Sequence, residues 1–159
     1  KGKTRMPVAI IAMGIVFNLL NGMMQAGGLF YFAPEGLYAD GWAYLLKPHA
    51  LLGIILFFAG MFVNLHSDYV IRHLRRPGDT KHYLPGKGLY RYVTSANYFG
   101  ELVEWTGFAI LTASPAAWVF VWWTFANLVP RADAIHRRYR EEFGDEAGGE
   151  GKRIIPFLY

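Results

Sequence analysis

The chain has 159 residues, of which 53% are hydrophobic and 17% aromatic, while only 18% carry a charge. A soluble domain carries about 25% charged residues, so this composition argues against an ordinary soluble domain. The net charge of +4 accompanies long apolar runs, which indicates membrane topology rather than nucleic-acid binding, and the absence of cysteine excludes disulfides and thiolate metal sites.

The apolar runs predict four membrane spans, in chain order at about 8–31, 43–65, 97–113 and 115–130. At about 1.5 Å per residue the first two are long enough for a hydrocarbon core of about 30 Å, whereas the last two reach only about 25 Å. The last two come from one run that Pro115 divides, since proline disfavours helix at the residue before it. A helical hairpin and a single broken helix are both compatible with this run.

The distribution of basic residues gives an independent test of this topology. Residues 1–5, 66–96 and 130–159 hold 15 of the 16 Lys and Arg residues, and the remaining one, Lys47, is predicted to lie in a helix. The positive-inside rule places both ends, the loop 66–96 and the tail 131–159 in the cytoplasm. Three spans would split the basic segments across the membrane, so the charges favour the hairpin. We predict an all-α, polytopic transmembrane bundle forming a single membrane domain over residues 1–159.

Polar side chains recur at helical spacing where the second span meets the cytoplasm. Asn64, Asp68, Arg72 and either Arg75 or Arg76 are three or four residues apart, which puts them on one helix face. One interpretation is a helix end at the membrane interface with local ion pairs. The other is one side of a binding site for an anionic ligand, because the planar guanidinium group of arginine can donate two parallel hydrogen bonds to a phosphate.

A second polar face begins the third span, with Asn97, Glu101 and Glu104 at spacings of four and three. Carboxylates in a span are costly unless they face a polar cavity, although the helix dipole lowers that cost at an N-terminus. Side chains that reach out to the interface are the alternative. Trp105 beside them is either an interfacial anchor or a pocket wall.

Other polar residues carry weaker signals. Asn18, Asn21 and Gln25 in the first span either bond neighbouring helices or line a cavity. The tail contains the candidate residues Arg131, His136 and Tyr139 within a basic run, and the rest of that run is typical of a solvated or headgroup-facing surface. The five histidines show no metal-ligand spacing, and the sequence contains neither a Gly-x-Gly-x-x-Gly nor a Walker motif, so no metal site and no soluble nucleotide fold are predicted.

Several motifs together carry a family resemblance. They are Asn64-Leu65-His66-Ser67-Asp68-Tyr69, Leu74-Arg75-Arg76-Pro77-Gly78, Gly88-Leu89-Tyr90, Tyr92-Val93-Thr94-Ser95-Ala96-Asn97-Tyr98-Phe99-Gly100-Glu101, Glu104-Trp105-Thr106-Gly107 and Ile154-Ile155-Pro156-Phe157. In order and spacing, from Asn64 to the C-terminus, the chain resembles the steroid 5α-reductase family. The resemblance implies a seven-span helical membrane fold that reduces the Δ4 double bond of a 3-oxo-steroid, or of a similar enone lipid, with NADPH.

The resemblance also implies site residues. The cofactor NADPH would be bound by Asn64, Asp68, Arg75, Tyr83, Asn97, Glu101, Arg131, His136 and Tyr139. Trp105 would border the nicotinamide and the steroid, and we add Asn21 and Gln25 to the predicted substrate pocket. The glutamate and tyrosine that polarise the 3-keto oxygen in the family are expected in a preceding segment of a longer protein. Leu84 stands where animal members often have arginine, which implies redistributed phosphate contacts.

The nearest alternative is a membrane methyltransferase of the isoprenylcysteine or phospholipid type, which uses S-adenosylmethionine. Its C-terminal Arg…Glu-Glu pattern is similar to the segment from Arg138 to Glu142, but its Arg-His-Pro-x-Tyr motif is replaced here by Thr94-Ser95-Ala96-Asn97-Tyr98. A sterol reductase acting at another ring position and a membrane scaffold or transporter are further alternatives. We expect a monomeric integral membrane protein of a bacterial inner membrane or the endoplasmic reticulum, with its site facing the cytoplasm. Its predicted partners are the lipid substrate and membrane lipids, with no nucleic acid.

Overall fold

A computed structural model of the protein describes residues 7–75, 78–79, 81–144 and 152–159. The described part is helical, and its one β-type pairing is an isolated parallel bridge between Val93 and Lys152. The all-α prediction is therefore confirmed. The basic segment 1–5 and Arg76 lie outside the described residues. The described residues form the α-helices α1 (Val8–Ala26), α2 (Pro48–Arg72), α3 (Ala96–Thr112) and α4 (Pro115–Phe143).

Within the described ranges, two helices are long and apolar enough to cross a membrane. They are Val8–Tyr31, in which a π-helical turn from Gly27 extends α1, and Pro48–Arg72, which is α2. Both correspond to the first two predicted spans. Crossings by α3 and α4, and the seven-span fold that they would belong to, stay predictions.

The start of α2 corrects the predicted position of Lys47. Lys47 does not lie in a helix: its backbone is extended, with φ −64° and ψ 143°, and a separate 3-10 helix (Gly41–Leu46) precedes it. The reason is Pro48, which disfavours helical geometry at the residue before it. The Lys47 Nζ atom instead lies 2.7 Å from Asp40 Oδ2 in the connection between α1 and α2.

Two helices extend beyond the predicted spans into segments that the charges assign to the cytoplasm. Helix α2 continues past residue 65 to Arg72, and α4 continues through Pro130 to Phe143. A proline inside a helix removes one backbone donor. Packing stabilises α4 on both sides of Pro130, because Leu128 and Ala132 are both buried.

Glycines bring α2 and α3 into backbone contact. Gly53 and Gly60 on α2 are seven residues apart, as are Gly100 and Gly107 on α3, so each pair lies on one helix face. A Cβ atom added to Gly60 would lie 2.7 Å from the Gly100 carbonyl oxygen, and one added to Gly53 would lie 2.7 Å from that of Gly107. Close approach through small residues is a common packing mode in membrane helices.

Helices α3 and α4 form a hairpin. Ala113 adopts a left-handed conformation at φ 50°, and Ser114 is extended before Pro115, so the chain reverses within two residues. The rings of Trp105 on α3 and Phe120 on α4 pack edge to face with centroids 4.5 Å apart. The chain thus adopts the hairpin rather than a continuous broken helix.

Helix α1 packs much more loosely than the other three. No residue of α1 is buried, and its main aromatic contact is Phe17, whose ring lies 5.8 Å from Trp123 and 6.3 Å from Phe120 on α4. The apolar side chains of α1 are largely exposed, including Met13 and Leu20. This arrangement leaves an open space between α1 and the α3–α4 hairpin.

The C-terminal strap (residues 152–159) packs back across the start of α3. The backbone N–H groups of Thr94 and Ser95 donate to the carbonyls of Lys152 (3.0 Å) and Arg153 (3.1 Å). Ile154 is fully buried in a cluster with residues of α3 and α4. The strap therefore holds α3 and α4 together at the end where the predicted site lies.

An ion pair fastens the strap to α4. Arg153 Nε donates to Asp133 Oδ1 at 2.6 Å, and Arg137 Nη1 lies 3.2 Å from Asp133 Oδ2. The hydrogen bond from Arg153, followed by the charge of Arg137, lowers the pKa of the Asp133 carboxyl below its usual value.

This pair makes a pH-dependent contribution to stability that can be measured. A carboxyl with a lowered pKa in the folded state stabilises that state above its unfolded pKa, about 4, and the stabilisation is lost as pH falls through the folded value. We expect Asp133→Asn to lower the thermal unfolding midpoint at pH 7 and to have a smaller effect at pH 3. The control Glu141→Gln, at an exposed position on the same helix, should change neither midpoint. An equal decrease in the unfolding midpoint of Asp133→Asn at both pH values would contradict a role for the Asp133 charge.

Candidate functional site

One cavity of the described structure, the α1 cavity, lies between α1, α3 and α4 and has a volume of about 520 Å³. Its walls are mostly apolar and include Phe17 from α1 and Phe120, Trp123 and Leu128 from α4. A cavity of this size and lining suits an apolar small molecule.

Two charged residues line the end of the α1 cavity that lies nearest the start of α3. They are Glu101 from the second turn of α3 and Arg131 from α4, and their opposite charges attract each other. Both were predicted to contact a cofactor. They make this end of the apolar cavity able to bind a polar group.

The two polar faces predicted from helical spacing meet across the α2–α3 contact. The backbones of Asn64 and Gly100 are close enough that no side chain fits between them. The Asn64 amide interacts with the Glu104 carboxyl, and the charge of Asp68 acts on Glu101. The close helix contact therefore brings separate sequence motifs into one polar cluster.

Tyr90 completes this cluster and was not predicted as a site residue. Its hydroxyl donates to Asn97 Oδ1 at 3.4 Å, and its side chain is only 5% exposed. Burial raises the pKa of the Tyr90 phenol, with Tyr139 and Asp68 as further neighbours. Tyr90 therefore remains a neutral hydrogen-bond donor at physiological pH.

A second cavity, the arginine cavity, lies between the C-terminal ends of α2 and α4. Its volume is about 450 Å³, and the loop that carries His82 and Tyr83 forms one of its walls. The charged and polar residues of its lining are Arg72, Arg75, His82, Tyr83, Arg138, Tyr139 and Glu142. Three guanidinium groups around one cavity suit an anionic ligand such as a phosphate.

Several polar groups of the arginine cavity already form hydrogen bonds or ion pairs within the protein. Arg72 Nη2 lies 3.5 Å from Asp68 Oδ2, and His82 Nδ1 lies 2.5 Å from Glu142 Oε1. The Tyr83 hydroxyl donates to Asp79 Oδ2 at 2.7 Å. A backbone hydrogen bond from Lys81 and this bond from Tyr83 lower the pKa of the Asp79 carboxyl.

Both cavities open on one face of α4. Leu128 and Arg131 line the α1 cavity, while Ile135, Arg138 and Glu142 line the arginine cavity. The successive spacings of three and four residues put these side chains in one stripe. Arg131 and Arg138 are separated by seven residues, about 10 Å along a helix. A single elongated ligand could therefore contact both cavities.

Several predicted residues lie outside the linings of these two cavities. His136 is buried near Arg153 and Asp133, and burial followed by the charge of Arg153 lowers its pKa. Trp105 lies behind Phe120, which lines the α1 cavity. The roles of His136 and Trp105 in binding stay predictions.

The amides of α1 contact α4 at the opposite end from Glu101. Gln25 Nε2 donates to the Ala116 carbonyl at 3.2 Å and approaches Asn21 Oδ1 at 3.4 Å. This contact corresponds to the alternative in which these amides bond a neighbouring helix. Their place in the substrate pocket stays a prediction.

Three polar residues of the arginine cavity, together with Tyr90, were missed from the sequence. His82 and Glu142 were not selected, and Arg138 was interpreted as part of a solvated basic run. The spacing of Arg138 from Arg131 and Glu142 was a usable signal, because it places all three on one face of a helix.

The family model described as 3-oxo-5-alpha-steroid 4-dehydrogenase matches residues 4–159. The chain belongs to this family. Its relatives include 3-oxo-5-alpha-steroid 4-dehydrogenase 1 of Macaca fascicularis, 42% identical over the whole chain and 58% of that protein, and of Homo sapiens, 41% identical over the whole chain and 59% of that protein.

A plant relative extends the similarity. The steroid 5-alpha-reductase of Gossypium hirsutum is 37% identical over 96% of this chain and 58% of its own length. The chain thus spans less than two thirds of the length of these relatives. The family resemblance predicted from the motifs is confirmed, and the methyltransferase alternative gains no support from these relatives.

Proposed function

We propose that the protein reduces the Δ4 double bond of a 3-oxo-steroid or a similar enone lipid, with NADPH as the hydride donor. The observation that carries the proposal is the pair of cavities on one face of α4, one apolar and one rich in arginine, in a chain of this family. Relatives named steroid 5-alpha-reductase and 3-oxo-5-alpha-steroid 4-dehydrogenase support the substrate class.

The residues present fit a dinucleotide. Arg75 and Arg138 offer planar donor groups for phosphate oxygens, and Tyr139 lies beside Arg75 in the same cavity. The Glu101 carboxyl, near Asp68 and Arg131, can accept hydrogen bonds from amide or ribose groups. NADPH, when bound, supplies a hydride for the β-carbon of the enone.

The chain contributes position and environment to this reaction. The apolar walls of the α1 cavity hold a lipid substrate and limit its contact with water, which strengthens hydrogen bonds to a developing enolate. Arg131 and Glu101 orient the reactive end of the cofactor at the mouth of that cavity. The groups that polarise the 3-keto oxygen are not assigned to residues of this sequence.

We further propose that the protein is an integral membrane protein whose site opens to the cytoplasm. The two apolar helices support membrane insertion, and the bias of Lys and Arg supports the orientation. A lipid substrate would enter the α1 cavity from the bilayer, whereas the water-soluble cofactor would enter the arginine cavity from the cytosol.

Thermal stabilisation of the detergent-solubilised protein tests the cofactor class. A ligand that binds only the folded state at 100 times its Kd raises the unfolding free energy by about 2.7 kcal/mol. We expect such a shift with NADPH and NADP⁺ and none with S-adenosylmethionine or S-adenosylhomocysteine, because the arginine cavity favours anions. Stabilisation by S-adenosylmethionine alone would overturn the proposal.

A further inference from the structure

The polarity of the two cavities gives an elongated cofactor a direction. The lipid substrate belongs in the apolar α1 cavity, so the reducing end of the cofactor must reach Glu101 and Arg131 at its mouth. The adenosine end then extends along α4 toward the cytoplasmic end of the helix. The arginine cavity lies in that direction.

The positive charge of the arginine cavity is concentrated on two residues. Arg72 is paired with Asp68, and the carboxylate of Glu142 is paired with His82. Among the described residues, Arg75 and Arg138 form no ion pair within 4 Å. The cavity therefore offers two guanidinium groups to a ligand.

The neighbouring arginine on α4 differs from Arg138 in its environment. Arg137 points to the strap side of the helix, where it pairs with Asp133 at 3.2 Å, and it does not line the arginine cavity. The two residues have the same charge and adjacent positions. Only Arg138 is placed to contact a ligand in the cavity.

NADP(H) and NAD(H) differ at one position, the adenosine 2′-phosphate. A phosphate monoester carries about −1.5 to −2 charges at neutral pH, whereas the 2′-hydroxyl that replaces it in NAD(H) is neutral. A cavity with two available guanidinium groups therefore binds the 2′-phosphate of NADP(H) much more strongly than the 2′-hydroxyl of NAD(H).

We propose that Arg138, together with Arg75, binds the adenosine 2′-phosphate and thereby sets the preference for NADP(H) over NAD(H). This assignment rests on the proposed function, because it presumes a nicotinamide dinucleotide. It gives a binding role to a residue that the sequence alone places in a basic surface run.

The test measures the Kd of NADP⁺ and of NAD⁺ for the purified protein in detergent, with variants at adjacent positions. Loss of a charge-assisted hydrogen bond predicts that Arg138→Gln weakens NADP⁺ binding about tenfold to a hundredfold while leaving NAD⁺ affinity unchanged. The matched control Arg137→Gln should leave both affinities unchanged. Arg138→Lys, which keeps the charge, should recover part of the NADP⁺ affinity.

The fragments 2′,5′-ADP and 5′-ADP give a second readout independent of the nicotinamide end. Arg138→Gln should weaken binding of 2′,5′-ADP alone, and its unfolding midpoint without ligand should match that of the unaltered protein. If the unaltered protein binds NADP⁺ and Arg138→Gln leaves the ratio of NADP⁺ to NAD⁺ affinity unchanged, only the role of Arg138 is overturned. Failure of the unaltered protein to bind either dinucleotide overturns both this role and the proposed function.

Discussion

Replacing Gly60 by alanine is expected to lower the free energy of unfolding by about 3 kcal/mol, the upper part of the usual range for overpacking. The added methyl would lie 2.7 Å from both the Glu104 Cα atom and the Gly100 carbonyl oxygen. These are backbone atoms, so no rotamer change can relieve the contact, and α2 must move away from α3. Thermal unfolding of the detergent-solubilised variant measures the loss.

The control for this prediction is Gly22→Ala, the same substitution on α1. Apart from the local backbone of α1, no described atom lies within 4 Å of the Cβ position at Gly22, and alanine favours helix over glycine by about 1 kcal/mol. The control should therefore unfold at the same temperature or slightly higher. Equal effects of the two substitutions would show that the α2–α3 contact does not depend on glycine.

Replacing Glu101 by glutamine is expected to weaken NADPH binding by about 1.5–3 kcal/mol, the net contribution of a hydrogen bond to a charged group. Glu101 lines the α1 cavity at its polar end and lies among Arg131, Asp68 and Glu104. The unfolding midpoint should not fall, because the substitution removes one of the three neighbouring negative charges of Glu101, Glu104 and Asp68. The Kd for NADPH and the unfolding midpoint without ligand together separate binding from stability.

The matched control is Glu35→Gln in the exposed connection between α1 and α2, which should change neither quantity. A Glu101→Gln variant that binds NADPH with unchanged affinity would mean that this carboxylate serves the membrane interface alone. A variant with a much lower unfolding midpoint would mean that the charge supports the helix packing instead.

Much of the geometry of the candidate site could be predicted from local spacing. Asn64 and Asp68 share one helix face, and so do Asn97 and Glu101, because the period of an α-helix follows directly from the sequence. The structure brings these faces together. The break before Pro115 was predictable for a similar reason, since proline acts on its immediate neighbour, whereas the distribution of basic residues favoured the hairpin over a broken helix.

Contacts between distant residues were not predictable in this way. The pairing of His82 with Glu142 joins a loop to a helix 60 residues later, and the strap joins Arg153 to Asp133. Neither pairing produces a local pattern. Arg138 looks like its neighbours in the sequence, and only the packing of α4 against the end of α2 puts it in a cavity.

The sequence by itself determined that the chain is helical, that two of its helices can cross a membrane and that its family is that of 3-oxo-5-alpha-steroid 4-dehydrogenase. Hydrophobicity, proline position and motif order are properties of single segments, so they can be interpreted without a fold. The tertiary structure decided which faces meet. Glycine contacts set the distance between α2 and α3, and the loose packing of α1 opens the apolar cavity. Both depend on shape complementarity between segments far apart in the chain, which no local pattern encodes.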